Sequence, residues 1–338
     1  MLAGLAPSDA RRNDQAKSRP SMKKVLVFTA TYNEAENIPA LVDAVLSILP
    51  ESEMLVVDDN SPDGTGPLLD RLSATIPRLH VVHRPRKNGL GTAHKIAMKY
   101  ALAHGYEALV TMDADFSHDP SYLPRMMQEL ENADFVTGSR YVAGGSCEYP
   151  LSRVLLSRVA NTLTHQLLGI PVHETTTAYR GFRRWLLERM NVDAIQSEGY
   201  SYFVEAIYQV ALLSRAGTPP VRMAEFPIRF ADRRAGSSKI SKKEIWKGFS
   251  TLFRLSAKRA TSFLAGGVAP PAPTTAPPSA APCADCGSVF FTELVPPTVD
   301  SPGRAQCLGC GKLVERALAP GEDAARTRLD SNLSASAS

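Results

Sequence analysis

LVTMDADFSHDP, residues 109–120, runs an apolar segment directly into Asp113 and Asp115. A short apolar run bounded by polar residues reads as a strand buried on both faces. A strand that ends on two carboxylates delivers them to the edge of a sheet, where a ligand can reach them. A single Asp in that place is ordinarily a helix cap or a turn residue. Two of them, one residue apart, repel each other unless a cation neutralises them.

The same rhythm recurs on both sides of this stretch. Apolar strands at 25–29, 54–57, 79–82, 108–112 and 135–136 alternate with helical patterns over 38–49, 68–74, 92–104 and 122–130. The alternation predicts an α/β domain with a mostly parallel sheet covered by helices on both faces. Ligands of such sheets bind beyond the carboxyl ends of the strands. The residues expected there are ATYNE (30–34), DDNSPDG (58–64), Asp113 with Asp115, and GSRY (138–141). A few hard oxygen ligands suit Mg²⁺ or Mn²⁺, with phosphate oxygens and water completing the shell. Neither G-x-x-x-x-G-K-[ST] nor a G-x-G-x-x-G after the first strand is present. A metal bridge would then carry a diphosphate in place of a Gly-rich loop, which points to a nucleotide-sugar transferase.

The chain has 338 residues, enough for one large domain plus a small module. Its formal net charge of +4 is too small to announce a nucleic-acid partner, and none is expected. Residues 1–22 are charged and short of apolar residues, and read as a disordered arm rather than a signal peptide. With no transmembrane run in the sequence, the expected location is cytoplasmic, at the cytoplasmic face of a membrane. Residues 23–262 form the expected catalytic domain, 263–282 a Pro/Ala-rich linker, and 317–338 a polar, disordered tail. Between linker and tail, over 283–316, Cys283 and Cys286 pair with Cys307 and Cys310 as two C-x-x-C knuckles separated by 20 residues. Four thiolates at that spacing predict a zinc-ribbon-like module around structural Zn²⁺. A redox role for the C-x-x-C pairs is the alternative.

The motifs TYNEAENI (31–38), VVDDNSPDGTG (56–66), RKNGLGTA (86–93), MDADFSHDP (112–120), GSRYVAGG (138–145), EGYSYFVE (198–205) and RFADRRAGSSKI (229–240) extend the reading. Together they resemble the GT-A family 2 glycosyltransferases, and among them the dolichyl-phosphate (polyprenyl-phosphate) mannosyltransferase catalytic subunits. The resemblance implies a GT-A fold and inverting transfer of mannose from GDP-mannose to a polyprenyl (dolichyl-type) monophosphate. It implies that Tyr32, Glu34 and Asp59 contact the donor nucleoside, with Thr31, Val57 and Ala114 in the same donor set. It implies that Asp113 and Asp115 hold Mg²⁺ or Mn²⁺, with Ser117 at a position where some members carry a further metal ligand. Arg233 and Lys239 would close over the diphosphate, and Arg140, Arg153 and Ser157 would grip the acceptor phosphate. The catalytic set is then Asp115, Arg140, Arg233 and Lys239.

The family's D-x-T-S-G-F-R stretch stands here as Glu174 to Arg180, with Ala178 for Gly and Tyr179 for Phe. These changes bear on sugar identity, so UDP-glucose or another nucleotide sugar stays open as the donor. A catalytically inactive zinc-ribbon adaptor is the reading from another class. It is opposed by the intact Asp113, Asp115, Arg140, Arg233 and Lys239.

Residues 238–260 carry seven Lys and Arg against Glu244 alone, with Ile245, Trp246, Phe249, Leu252, Phe253 and Leu255 near helical spacing. Such a helix fits the surface of an anionic membrane. The plainer reading is a core helix with a solvated basic edge. The resemblance also leaves room for a small membrane-anchoring subunit as partner.

Overall fold

A computed structural model describes residues 22–197, 199–216, 219–231, 242–264, 291–295, 303–307 and 313–316. The chain opens with β1 (Val25–Thr31), α1 (Ile38–Ile48), β2 (Ser52–Asp58), α2 (Thr65–Thr75), β3 (Leu79–His83), α3 (Leu90–Ala103) and β4 (Ala108–Thr111). It continues through α4 (Leu123–Asn132), β5 (Phe135–Ser139), β6 (Ser146–Cys147), α5 (Leu151–Leu168), β7 (Arg180–Arg183), α6 (Arg184–Arg189) and α7 (Ser201–Ala216). The short strands β8 (Met223–Pro227) and β9 (Arg229–Phe230) precede the long helix α8 (Lys242–Leu264). Last come β10 (Phe291–Val295), β11 (Gly303–Cys307) and β12 (Leu313–Arg316), which form an antiparallel sheet.

The main sheet has seven strands in the order β3-β2-β1-β4-β7-β5-β8. All its pairings are parallel except those of β7, which runs antiparallel to both β4 and β5. The five strands expected from apolar runs are all present. Successive residues on each strand point to opposite faces, and here both faces are dry. Leu26, Phe28, Leu55, Val57 and Leu109 join a core beneath α3, α6 and α7. Val25, Val27, Met54, Val56 and Val110 join a second core beneath α1 and α4. Helix α1 buries Ile38, Leu41, Val42, Val45 and Leu46, the stripe expected of one helical face.

Strand order places the site. The chain steps outward from β1 to β2 and β3, then returns to lay β4 on the other side of β1. Between β1 and β4 the loops leave in opposite directions, so a crevice opens beyond their carboxyl ends. Thr31 is level with Asp58 across β1 and β2, and β4 ends at Thr111 opposite Phe28. Asp113 and Asp115 therefore enter the mouth of this crevice. Apart from this sheet, β6 pairs with β9 in a short parallel ladder.

Of the expected zinc ligands, Cys283, Cys286 and Cys310 lie outside the described residues, and only the backbone of Cys307 is described.

Candidate active site

Two adjoining cavities occupy the crevice. The first, about 320 Å³, is lined by Thr31, Tyr32, Glu34, Asp59, Lys87, Asp113, Ala114 and Asp115, among others. The second, about 500 Å³, is largely apolar, and Arg140, Ser157, Thr176 and Thr177 supply polar groups to its wall. Asp113 and Tyr200 line both, and so stand at the junction.

The loops after β1, β2 and β4 share a feature that the sequence only hints at. Asn33 (φ 60°), Asn60 (φ 55°) and Phe116 (φ 62°) are the non-glycine residues with left-handed backbone among those described. One falls in each loop. Asn tolerates this conformation, whereas for Phe it is uncommon and costs energy. The turn at Phe116 lets Ser117 fold back so that its N–H and Oγ–H both donate to Asp115 Oδ1, at 3.1 and 2.6 Å. Ser117 thus orients a carboxylate with the oxygen that was expected to ligate metal. Asp115 is buried, whereas the Asp113 side chain is 34% exposed.

His118, unassigned from the sequence, braces the same loop. The Asp113 N–H donates to its Nδ1 at 3.0 Å, so the proton sits on Nε2, which faces Thr177 Oγ1 at 2.9 Å. Burial pushes the imidazole down to about 3; Asp115 opposes this and Arg140 adds to it. The ring is neutral, and its 3.6 Å approach to Asp113 Oδ2 is not an ion pair. Tyr179, the departure from Phe noted above, stacks on His118 with centroids 5.0 Å apart. Its hydroxyl donates to the Asp119 carbonyl at 3.3 Å, an anchor that Phe could not supply.

The carboxylates after β2 divide their work. Asp58 accepts from Thr31 Oγ1 and from Ser61 and only shapes the loop. Asp63 accepts from Thr65 and from the Ala35 N–H, and is turn chemistry. Asp59 lines the first cavity with Oδ1 held by Arg84, which leaves Oδ2 for a ligand. Burial pushes its carboxyl up, opposed by Arg84. Glu34 accepts from Asn37 Nδ2 at 2.9 Å on the same wall. Lys87 Nζ sits 4.1 Å from the Tyr32 ring centroid. It adds a cation to the polar cavity that was visible in RKNGLGTA but had no assigned role. Val57 is fully buried in the core and lines neither cavity.

On the apolar side, Arg140 is buried and forms a two-pronged pair with Glu174, Nε to Oε2 at 2.8 Å and Nη2 to Oε1 at 2.9 Å. Ser157, on α5, accepts from the Tyr141 hydroxyl at 2.6 Å. Arg153 falls on the first turn of α5, and its side chain lies outside the described residues, as do Arg233 and Lys239 altogether. No group of three His, Cys, Asp or Glu suited to a metal occurs among the described residues.

Comparison with known proteins agrees with this geometry. The chain is 43% identical over 235 residues to a polyprenol monophosphomannose synthase of Mycolicibacterium smegmatis, covering 69% of this chain and 86% of that one. It is 40% identical over 219 residues to an undecaprenyl-phosphate mannosyltransferase of Micrococcus luteus, covering 64% and 88%. Among solved structures it resembles glucosyl-3-phosphoglycerate synthase of Mycobacterium tuberculosis, in complex with Mn²⁺, UDP-glucose and phosphoglyceric acid. That match has a TM-score of 0.50 at 18% identity, with 70% of this chain and 80% of the other covered, and shows a shared fold. The model of glycosyl transferase family 2 matches residues 26–190, from β1 through α6 and across the loops after β1, β2 and β4 that line the polar cavity. With a carboxylate pair at the switch point of its sheet and relatives matched over most of their length, the chain belongs to glycosyl transferase family 2.

Proposed function

We propose that this glycosyltransferase moves mannose from GDP-mannose to a polyprenyl monophosphate, inverting the anomeric centre. The observation that carries the reading is the pairing of the two cavities. A polar cavity sized for part of a nucleotide joins, at Asp113 and Tyr200, an apolar cavity with a guanidinium in its wall. The names of the relatives point to the same acceptor and sugar.

Chemistry follows from the acceptor. A phosphate monoester has its second pKa at about 6 and is largely a dianion at neutral pH. It needs no general base, unlike a sugar hydroxyl. One of its oxygens attacks the anomeric carbon while the bond to the nucleoside diphosphate breaks and the diphosphate leaves with the electron pair. Arg140 directs hydrogen bonds to the acceptor phosphate, and Arg153, as the resemblance implies, offsets repulsion between the two phosphates. Arg233 and Lys239 are proposed to meet the charge on the leaving diphosphate.

The carboxylates fit a divalent ion. Asp113 and Asp115 are hard donors beside the cavity, too few to fill a coordination shell, which suits an ion that brings water and phosphate oxygens. When bound, such an ion neutralises the diphosphate and so makes it a better leaving group. Structural zinc on Cys283, Cys286, Cys307 and Cys310 remains part of the proposal.

The test is transfer to a short polyprenyl phosphate with Mg²⁺ or Mn²⁺, comparing GDP-mannose with UDP-glucose. Turnover with GDP-mannose, abolished by chelator, is expected. Turnover with UDP-glucose instead would correct the donor, and turnover with neither would overturn the reading.

The enzyme is proposed to work at a membrane surface. No described helix is long and apolar enough to cross one. Helix α8 nevertheless has two apolar faces. Leu252 and Leu255 are buried in the core, while Trp246 and Phe253 are 75% and 68% exposed. Helix α5 adds an apolar stripe absent from the sequence reading, with Leu151 86% and Leu155 65% exposed. Leu156, Phe249 and Leu252 carry this surface into the apolar cavity. Exposed Arg158, Lys247, Arg254 and Lys258 lie on the same two helices. Burying one large apolar side chain is worth about 1.5–3 kcal/mol, and each Lys or Arg near an anionic surface about 1 kcal/mol. Leu155→Asp with Trp246→Asp is therefore expected to weaken binding to anionic vesicles about 100-fold or more without lowering the melting temperature. Unchanged sedimentation with vesicles would refute the surface.

A further inference from the structure

We infer that Glu174 is a positioning residue for the acceptor phosphate: it aims Arg140 by consuming all but one of its nitrogens. This rests on the acceptor reading above. Arg140 gives Nε to Glu174 Oε2, and Nη2 to both Glu174 Oε1 and Thr176 Oγ1. Nη1 is the nitrogen with no acceptor among the described residues, and Arg140 lines the apolar cavity. A planar guanidinium held along one edge presents its remaining N–H groups in a fixed direction.

Glu174 is itself held on several sides. Its Oε1 accepts the Thr176 N–H at 3.1 Å and the Thr176 hydroxyl at 2.9 Å. Its own N–H faces Glu225 Oε2 at 3.3 Å, and Glu225 Oε1 accepts from the His173 N–H at 2.9 Å. Asn161 ties the frame to α5: its Oδ1 accepts the N–H and hydroxyl of Thr175, and its Nδ2 donates to Thr176 Oγ1 and the Ser157 carbonyl. Helix α5, which carries the exposed leucines, is thereby bonded to the group that would meet the lipid's phosphate. Burial alone would push the Glu174 carboxyl up, but Arg140 and the Thr176 bonds outweigh it and hold the group below the usual carboxylate range.

There is an electrostatic consequence. Arg140 and Glu174 together are neutral, so a phosphate at Nη1 gains direction more than net charge. A misdirected Arg140 would therefore harm acceptor binding and spare the donor, whose cavity Arg140 does not line. A purely structural role would lower stability and both substrates' parameters together.

The experiment is titration of the full-length protein with farnesyl phosphate and, separately, with GDP, alongside transfer kinetics. Glu174→Gln places an N–H against the Arg140 donors. It is expected to weaken farnesyl phosphate binding about 10- to 50-fold and raise the acceptor KM alike, with GDP affinity within about twofold. Glu174→Asp, which keeps charge and both oxygens, is expected to recover most of the loss. Thr176→Val removes one acceptor from Nη2 and leaves the ion pair; it is expected to shift acceptor KM about threefold in the same direction, and serves if the Gln variant does not fold. If wild type binds farnesyl phosphate and Glu174→Gln binds it equally, or if GDP and farnesyl phosphate weaken together, the inference is overturned. A wild type that binds no farnesyl phosphate overturns the acceptor reading and this inference with it.

Discussion

Asp115→Ala is expected to lower kcat by about 10³-fold or more while leaving a folded protein. Asp115 is the buried member of the pair, and its Oδ1 takes both donors of Ser117. Removing it deletes one of two proposed metal-binding carboxylates. It also leaves the Ser117 N–H and hydroxyl, both deep in the protein, without that acceptor. The structural part should cost about 1–3 kcal/mol, roughly 2–12 °C in melting temperature for a domain of this size. The catalytic part is larger because the charge on the leaving diphosphate would go unneutralised. Asp115→Asn keeps the Ser117 bonds and separates the two effects. It should melt close to wild type and stay as inactive as Asp115→Ala. An Asp115→Asn protein with more than a tenth of wild-type turnover would show that the carboxylate is not needed for charge.

Arg180→Ala is expected to have the largest effect on stability, a loss of about 3–5 kcal/mol and about 10 °C in melting temperature. Arg180 is among the largest fully buried side chains, and among the described residues no carboxylate forms an ion pair with its guanidinium. Nη1 donates to the Phe203 carbonyl at 2.8 Å and Nη2 to the Thr175 carbonyl at 2.7 Å, while Nε is buried with no partner among the described residues. The Phe203 ring centroid lies 5.1 Å from Cζ. Burial pulls the guanidinium down to about 10, with Tyr202 and Glu174 opposing, so it remains charged at neutral pH. Desolvating a cation this way is costly. Truncation nevertheless loses more, because it orphans two carbonyls and opens a hole at the junction of β7 with α7. Those carbonyls belong to the segment that carries Thr176 and Thr177 and to a wall of the apolar cavity. Activity should therefore fall with stability. Arg180→Lys, which keeps charge and one donor, should recover about half the loss. An Arg180→Ala protein that melts within two or three degrees of wild type would refute this account.

The first half of the fold was legible in the sequence because its signals are local. Strands β1 to β5 are apolar on both faces and separated by helices with a clear buried stripe, so their order along the chain could be read off directly. Strand β7 could not. It is four residues, Arg180–Arg183, with Arg at each end, and it earns its place by pairing with β4 and β5. Arg180 is buried because Thr175 and Phe203 offer it carbonyls, a fact absent from its neighbours in sequence.

The same division runs through the site. Which side chains could gather around one cavity was readable, since motifs at strand ends place Tyr32, Asp59, Asp113 and Asp115 beyond one edge of a parallel sheet by strand geometry alone. How each is held was not. Ser117, at a position where some relatives carry a further metal ligand, donates twice to Asp115, Asp58 and Asp59 looked alike and make different bonds, and Val57 lies in the core. The sequence by itself determined the strand order along the chain, the carboxylate pair and the basic character of the last long helix, because these depend on periodicity and residue type within a few positions. Only the tertiary structure decided that Arg140 meets Glu174 across 34 residues, that Tyr179 braces His118, and that α5 bares its leucines beside α8. Those outcomes depend on which surfaces the folded chain brings within hydrogen-bond reach or leaves uncovered, and no local pattern encodes that.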